Sequence, residues 1–206
     1  MSAEPASDRE ARDWIAQMLS AGDPFREIYA ATEAHRLEHG CEAYASANGT
    51  LLAVLARSVG ARRSLEIGTA LGYTAACLAH GAPGGRVDTL EADPSHAEEA
   101  GRQLLRAGVA ARVRILVGRS PSALEDLEPG YDLVFYDASI PTPEELSRFR
   151  ALLRPGGVLL TSNLFLGIYD PRMPGLARGA ESRLELLNQA HWQTTFVDLK
   201  ALSVRL

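Results

Sequence analysis

Lysine is almost missing from this chain of 206 residues: Lys200 is the only one, and nearly all positive charge is arginine. Lys and Arg total 21 against 26 Asp and Glu, a net charge of −5, and no basic run exceeds pairs such as Arg62-Arg63. That balance lacks the electrostatic footprint that gripping a phosphate backbone requires, so neither nucleic acid nor an anionic membrane is an expected partner. Two cysteines, Cys41 and Cys77, are too few for a disulfide framework or a zinc knuckle. Cys77 lies in an apolar run and reads as buried packing, while Cys41 is isolated. No stretch reaches the roughly 18 apolar residues of a membrane span. Met1 to Glu10 is polar and acidic, without the apolar core of a leader, so a reducing cytoplasm is expected. Apolar residues make up 46% and charged residues 23%, which excludes a disordered chain and suits one globular domain.

What is present falls into two parts. Residues 1–60 read as a helical cap. Ser7 and Glu10 have capping-box spacing, followed by Trp14, Ile15, Met18 and Leu19 at helical intervals. Asp23-Pro24 predicts a second helix, running to about Glu38. Asn48 to Val59 predicts a third, stopped by Gly60. Residues 61–206 read as the core. Strands are predicted at Ser64–Ile67, Arg86–Glu91, Arg112–Val117, Asp132–Tyr136 and Val158–Thr161. Between them fall helices at Gly72–Ala79, Asp93–Ala107 and Thr142–Leu153, and a short one capped by Ser120-Pro121. This alternation means an α/β, Rossmann-like, doubly wound sheet, mostly parallel, with helices on both faces. Ala180–Ala190 predicts a last helix. Thr194–Leu199 and Ala201–Leu206 are too close for a crossover and should pair antiparallel, giving seven strands. The loop from Gly167 to Gly179 is a candidate lid.

In such sheets ligands bind beyond the carboxyl ends of the strands, at the switch in strand order. The first strand ends in Glu66-Ile67-Gly68-Thr69-Ala70-Leu71-Gly72-Tyr73-Thr74. Gly68 and Gly72 bracket a tight turn, which a ligand can approach closely or which only needs glycine for its geometry. The spacing is G-x-x-x-G, not the dinucleotide G-x-G-x-x-G, which argues against a nicotinamide-dependent oxidoreductase. Glu66 instead suits a cationic ligand. Glu91 lies 23 residues past Gly68, where an acidic side chain holds a ribose diol. Ser120 is placed to touch a ring edge or to cap a helix. Asp137 follows an apolar central strand and is costly to bury without a task. Asn163 ends the fifth strand and either serves the site or caps a turn.

These features in this order resemble the class I S-adenosylmethionine (SAM)-dependent methyltransferases, and more narrowly the small cation-dependent O-methyltransferases of the catechol and caffeoyl-CoA type. The resemblance rests on LEIGTALGYTAACLA (Leu65 to Ala79), TLEADPSHAEEA, YDLVFYDA and LLRPGGVLLTSNLFLG. It implies methyl transfer from SAM to a small molecule, at oxygen by analogy. It implies that Glu66, Gly68, Thr69 and Thr74, with Gly72, line the methionine end of SAM. Glu91 would hold the ribose, Ser120 would face adenine, Tyr44 would touch the cofactor from the helical segment, and Asp137 would lie near the sulfonium. A homodimer is also implied.

Two departures stand out. The family's metal pair Asp-Asn reads Ser162-Asn163, and its Asp-Ala-Asp-Lys reads Asp137-Ala138-Ser139-Ile140. One carboxylate and one amide make a poor Mg²⁺ site, so metal binding is expected to be weak or absent. With the usual lysine base replaced by Ile140, Asp137 is the candidate base. His39, on the segment that covers the site in the family, is the second candidate, and a solvated helix face is the plainer reading for it. A protein that binds SAM or S-adenosylhomocysteine (SAH) without catalysis is the alternative.

Overall fold

The structure, a computed structural model, describes residues 7, 9–10, 14, 18, 21–47, 49–165, 179–197 and 200–206. The Ser7 hydroxyl accepts the Glu10 amide (3.2 Å), and Arg9, Glu10, Trp14 and Met18 are helical, as the capping box predicts. Helices α1 (Arg26–His39) and α2 (Gly49–Ser58) follow. The first begins two residues after the expected Asp23-Pro24 start. The Asp23 carboxylate does not cap it. One oxygen closes a turn on the Phe25 amide (2.9 Å), and the other accepts the Tyr73 hydroxyl (2.7 Å), which pins this segment to the core.

The sheet has seven strands: β1 (Arg63–Ile67), β2 (Arg86–Glu91), β3 (Val113–Val117), β4 (Tyr131–Tyr136), β5 (Leu153–Thr161), β6 (Trp192–Val197) and β7 (Lys200–Arg205). Their order is β3-β2-β1-β4-β5-β7-β6. The first five are parallel, and β7 runs antiparallel to both β5 and β6. Helices α3 (Tyr73–Gly81), α4 (Pro94–Arg106) and α5 (Pro143–Leu152) provide crossovers, and α6 (Ala180–Leu186) precedes β6. The doubly wound fold expected from the alternation is the observed one. α6 stops four residues before the predicted Ala190, because Asn188 and the residues after it form a turn into β6. β5 begins five residues early, at Leu153, and Arg154 to Gly157 bulge out, so Tyr131 pairs Leu153 while Leu133 pairs Val158. The predicted lid lies outside the described residues except for Gly179.

Period-two alternation sends β4 into two cores, as expected for a strand buried on both faces. Leu133 and Phe135 pack with Ile28, Leu52, Ala56, Leu78 and Leu104 on one side. Val134 and Tyr136 pack with Leu124, Leu146, Phe149 and Trp192 on the other. α2 therefore contributes to the central core, and it approaches α3 so closely that a Cβ on Gly81 would sit 2.2 Å from the Ala53 carbonyl oxygen. Cys77 is buried there, as predicted. No helix among the described residues is long and apolar enough to cross a membrane.

Candidate active site at the carboxyl end of the sheet

Strand order reverses between β1 and β4. Ladder hydrogen bonds continue one residue past the strand ends: Gly68 to the Leu90 carbonyl, Gly118 to Glu91, Asp137 to Ile67 and Ser162 to Tyr136, all 2.8–3.0 Å. They set four turns side by side. Gly68 takes φ +100°, and a Cβ there would lie 3.1–3.2 Å from the Asp137 and Ala138 backbone. Glycine is thus required both by its left-handed φ and by the close approach of the β4 turn. Ala70 is the one non-glycine of positive φ among the described residues (46°), and its amide is turned onto Glu91 Oε2 (2.8 Å).

Glu66 is fully buried. It lies opposite Thr89 in the register of β1 and β2. The Thr89 hydroxyl donates to Glu66 Oε2 (2.5 Å), and Thr69 donates in turn to Thr89 (2.6 Å). Glu66 Oε1 has no hydrogen-bond partner. Burial pushes this carboxyl up to about 8, against the opposing pull of the Thr74 and Thr89 hydroxyls and with help from Asp137 and Glu91 nearby. A buried carboxyl with an unpartnered oxygen is costly unless a ligand completes it.

Glu91 is buried at the next strand end. Its Oε2 accepts Ala70 and its Oε1 accepts the Asp93 amide (3.0 Å). Each oxygen keeps acceptor capacity, which suits a diol. Asp137 is half-buried. Burial pushes its carboxyl up to about 6, opposed by Ser162, the Lys200 ammonium and Asn163. Asn163 Nδ2 donates to the Asp137 carbonyl (3.2 Å) and to its carboxylate (3.4 Å).

The remaining expectations divide. Thr69 and Thr74 are buried beside Glu66, with the Thr69 hydroxyl spent on Thr89. Gly72 closes the turn through its amide on the Thr69 carbonyl (2.9 Å) and starts α3. Ser120 does not cap: the one-turn helix at Ser122–Leu124 has Pro121 at its N-cap and no side-chain cap bond. The Ser120 hydroxyl is buried without a partner, so it is available to a ligand. Tyr44 is exposed, with the Arg36 guanidinium 4.7 Å over its ring. His39 is exposed and stacked on His35 (4.2 Å), in a cleft shared with Asp93 and His96. No hydrogen bond or ring contact joins it to Asp137.

Sequence reasoning missed Thr89 and Lys200, and took Ser162 only as a lost metal ligand rather than as a hydroxyl beside Asp137. Thr89 carried a readable signal, a polar residue inside a buried strand. Lys200 carried none, because only the antiparallel return of β7 beside β5 brings its charge to Asp137.

Comparison with known proteins supplies the deciding observation. Residues 65–163 match the family model described as a methyltransferase domain. The chain is 32% identical, with a TM-score of 0.80, to the crystal structure of cofactor-bound Rv0187 from MTB, covering 100% of this chain and 99% of that one. This chain belongs to the class I SAM-dependent O-methyltransferase family. The O-methyltransferase TomG from Streptomyces achromogenes, solved in complex with SAM, is 29% identical over 97% of this chain and 99% of its own, at a TM-score of 0.80. The catechol O-methyltransferase of Mycobacterium tuberculosis is 43% identical over 128 residues, which are 61% of this chain and 58% of that relative's length. The family's cation site does not fit the residues here. Asp137 is its single carboxylate, Ser162 and Asn163 offer neutral oxygens, and Lys200 already places a positive charge nearby.

Proposed function

We propose that this chain transfers the methyl group of SAM to a hydroxyl oxygen of a small-molecule acceptor, with weak or no dependence on a divalent metal. The observation that carries the reading is the pair of desolvated carboxyls, Glu66 near the end of β1 and Asp137 just past the end of the adjacent β4, where strand order reverses, one with an unpartnered oxygen. Such a pair is completed by a cationic ligand. When bound, SAM supplies a methyl carbon activated by its positive sulfur.

The chain's own residues do the rest. Thr89 holds the Glu66 carboxyl through Oε2, and the unpartnered Oε1 would accept from the ligand's ammonium. Gly68 and Gly72 let the turn lie against the methionine end, with Thr69 and Thr74 lining it. Glu91, keyed by the Ala70 and Asp93 amides, accepts both ribose hydroxyls. The unpartnered Ser120 hydroxyl meets the adenine edge, and Tyr44 closes from the helical segment 1–60 over the core 61–206. Asp137 would take the proton of the acceptor hydroxyl, leaving that oxygen free to receive the methyl group. His39 stands as the second candidate base. The catechol acceptor named for the tuberculosis relative does not carry over directly. Without a well-built cation site, two phenolic oxygens have nothing to chelate, and a single hydroxyl suffices.

Calorimetry of EDTA-treated protein with SAM tests this reading. Micromolar binding is expected, followed by SAH formation with a phenol or hydroxamate panel. Binding that returns only with Mg²⁺ would overturn the metal assignment. Binding without any turnover across the panel would favour a non-catalytic SAM or SAH carrier, the reading that Ser162 and Ile140 suggest. A homodimer in a reducing cytoplasm completes the proposal, and light scattering at micromolar concentration checks the dimer.

A further inference from the structure

Outside the carboxyl-end site, one side-chain cluster has chemistry that the methyl-transfer reading does not use. His35, Cys41 and His96 each present a ligand atom, and these atoms all lie within 4.8 Å of one another. The three come from two separate parts of the chain. His35 is in the last turns of α1. Gly40 caps that helix in the left-handed conformation (φ 60°, ψ 28°), which turns the chain so that Cys41 folds back beside it. His96 sits in the first turn of α4, where Asp93 caps the helix through the Ser95 and His96 amides. The His35 and His96 rings meet edge to face at 5.2 Å.

We propose that His35, Cys41 and His96 form a binding site for a thiophilic divalent transition-metal ion, with Zn²⁺ as its natural class. Two imidazoles and a thiolate match the ligand preference of Zn²⁺, and three protein ligands leave a fourth position for water. Tetrahedral bonds of about 2.0–2.3 Å place ligand atoms about 3.5 Å apart, so separations of at most 4.8 Å need to close by no more than about 1.3 Å. Surrounding charge favours a dication. Glu38, Asp93 and Glu99 line the same cleft, and its arginine, Arg102, is already paired to Glu98 (2.5 Å) and Glu99 (2.7 Å). Glu91 Oε1 stands 3.9 Å from His96 Nδ1, an ion-pair distance that adds negative charge beside the site. Binding exchanges the Cys41 thiol proton for the metal and releases it to solvent.

The consequence is a clasp. The ion joins the helical segment to His96 in the first turn of α4, three residues from Asp93, whose backbone amide holds Glu91. It therefore couples the cap to the ribose side of the cofactor pocket. The site is distinct from the oxygen donors of Asp137 and Asn163.

Cobalt distinguishes the two. Reduced, metal-free protein titrated with Co²⁺ is expected to show one equivalent with a near-ultraviolet thiolate-to-cobalt charge-transfer band and intense visible bands of tetrahedral geometry, both displaced by Zn²⁺. Cys41→Ser should abolish the charge-transfer band, and His35→Ala should weaken binding by about a hundredfold or more, with unchanged circular dichroism. Zn²⁺ should raise the melting temperature of wild type only. Weak octahedral Co²⁺ spectra without a thiolate band, or a band that survives Cys41→Ser, would overturn the proposal. The titration needs no SAM, so its outcome is independent of the methyl-transfer reading.

Discussion

The two ends of one sheet treat charge in opposite ways. At the amino end every strand carboxylate is answered by a strong donor. Asp132 accepts the Arg62 and Arg63 amides (2.7 and 3.0 Å) and Arg154 Nε (2.6 Å). Burial raises the Asp132 carboxyl, but these donors outweigh it and hold it below its ordinary value. Asp88 takes Arg114 Nε (2.7 Å) and the Tyr131 hydroxyl (2.5 Å). Arg63 donates to the Glu128 and Pro129 carbonyls and lies 4.3 Å over the Tyr131 ring. At the carboxyl end, Glu66, Glu91 and Asp137 have hydroxyls and backbone amides but, among the described residues, no arginine or lysine within ion-pair distance. The first arrangement closes the fold. The second leaves negative charge for a ligand to complete, at some cost to the free protein.

Substitutions at the two ends should therefore differ in kind. The largest effect is expected from Asp137→Asn, which keeps the shape and removes the base. Steady-state kinetics should show kcat falling about a hundredfold or more, well beyond the smaller loss of SAM affinity expected from removing one of the two charges that face the sulfonium. Equal loss in both would make Asp137 a binding residue instead.

Glu66→Gln should separate binding from stability. SAM affinity by calorimetry falls about tenfold or more, while the free protein gains on the order of a few kcal/mol in urea unfolding at pH 8. The sign follows from linkage. A carboxyl raised from 4.5 to about 8 binds more protons folded than unfolded in that window, so free-protein stability declines as pH rises through it. Wild type should show this decline and Glu66→Gln should not. SAM affinity should rise with pH over the same range, as the carboxylate forms. A flat profile for wild type would mean that Glu66 is already ionised and solvated.

Asp132→Asn, at the other end, should destabilise by about 2 kcal/mol, because three donors lose their charged acceptor, and should leave SAM binding unchanged. The smallest effect belongs to Arg114→Ala. That guanidinium is 60% exposed, and its pair with Asp88 is worth about 0.5 kcal/mol or less by thermal melts. A larger loss would show that Arg114 also fixes Asp88 for Tyr131.

The same contrast explains what was legible in the sequence. β2 was read to the residue, because Arg86–Glu91 alternates and is bounded by Gly85 and the Asp93-Pro94 cap. The Thr142–Glu145 capping box reads directly, and both of its reciprocal bonds form. That Glu66, Glu91 and Asp137 share one edge was legible because each lies at or just past the carboxyl end of a strand, and parallel strands bring those ends together. The Ser120 cap failed because the helix it was meant to cap begins at Ser122, leaving the hydroxyl buried and unpaired. Asp23 was misread because its partner, Tyr73, is 50 residues away.

By itself the sequence determined the order of elements, the parallel sheet and the acidic carboxyl edge. These follow from local periodicity, turn chemistry and the chirality of crossovers. Tertiary structure alone decided which oxygens stay unpartnered, how Lys200 reaches Asp137, and that an apparently isolated Cys41 stands between two histidines. Those depend on long-range packing, which places side chains remote in sequence at contact distance and sets the burial that shifts their charge.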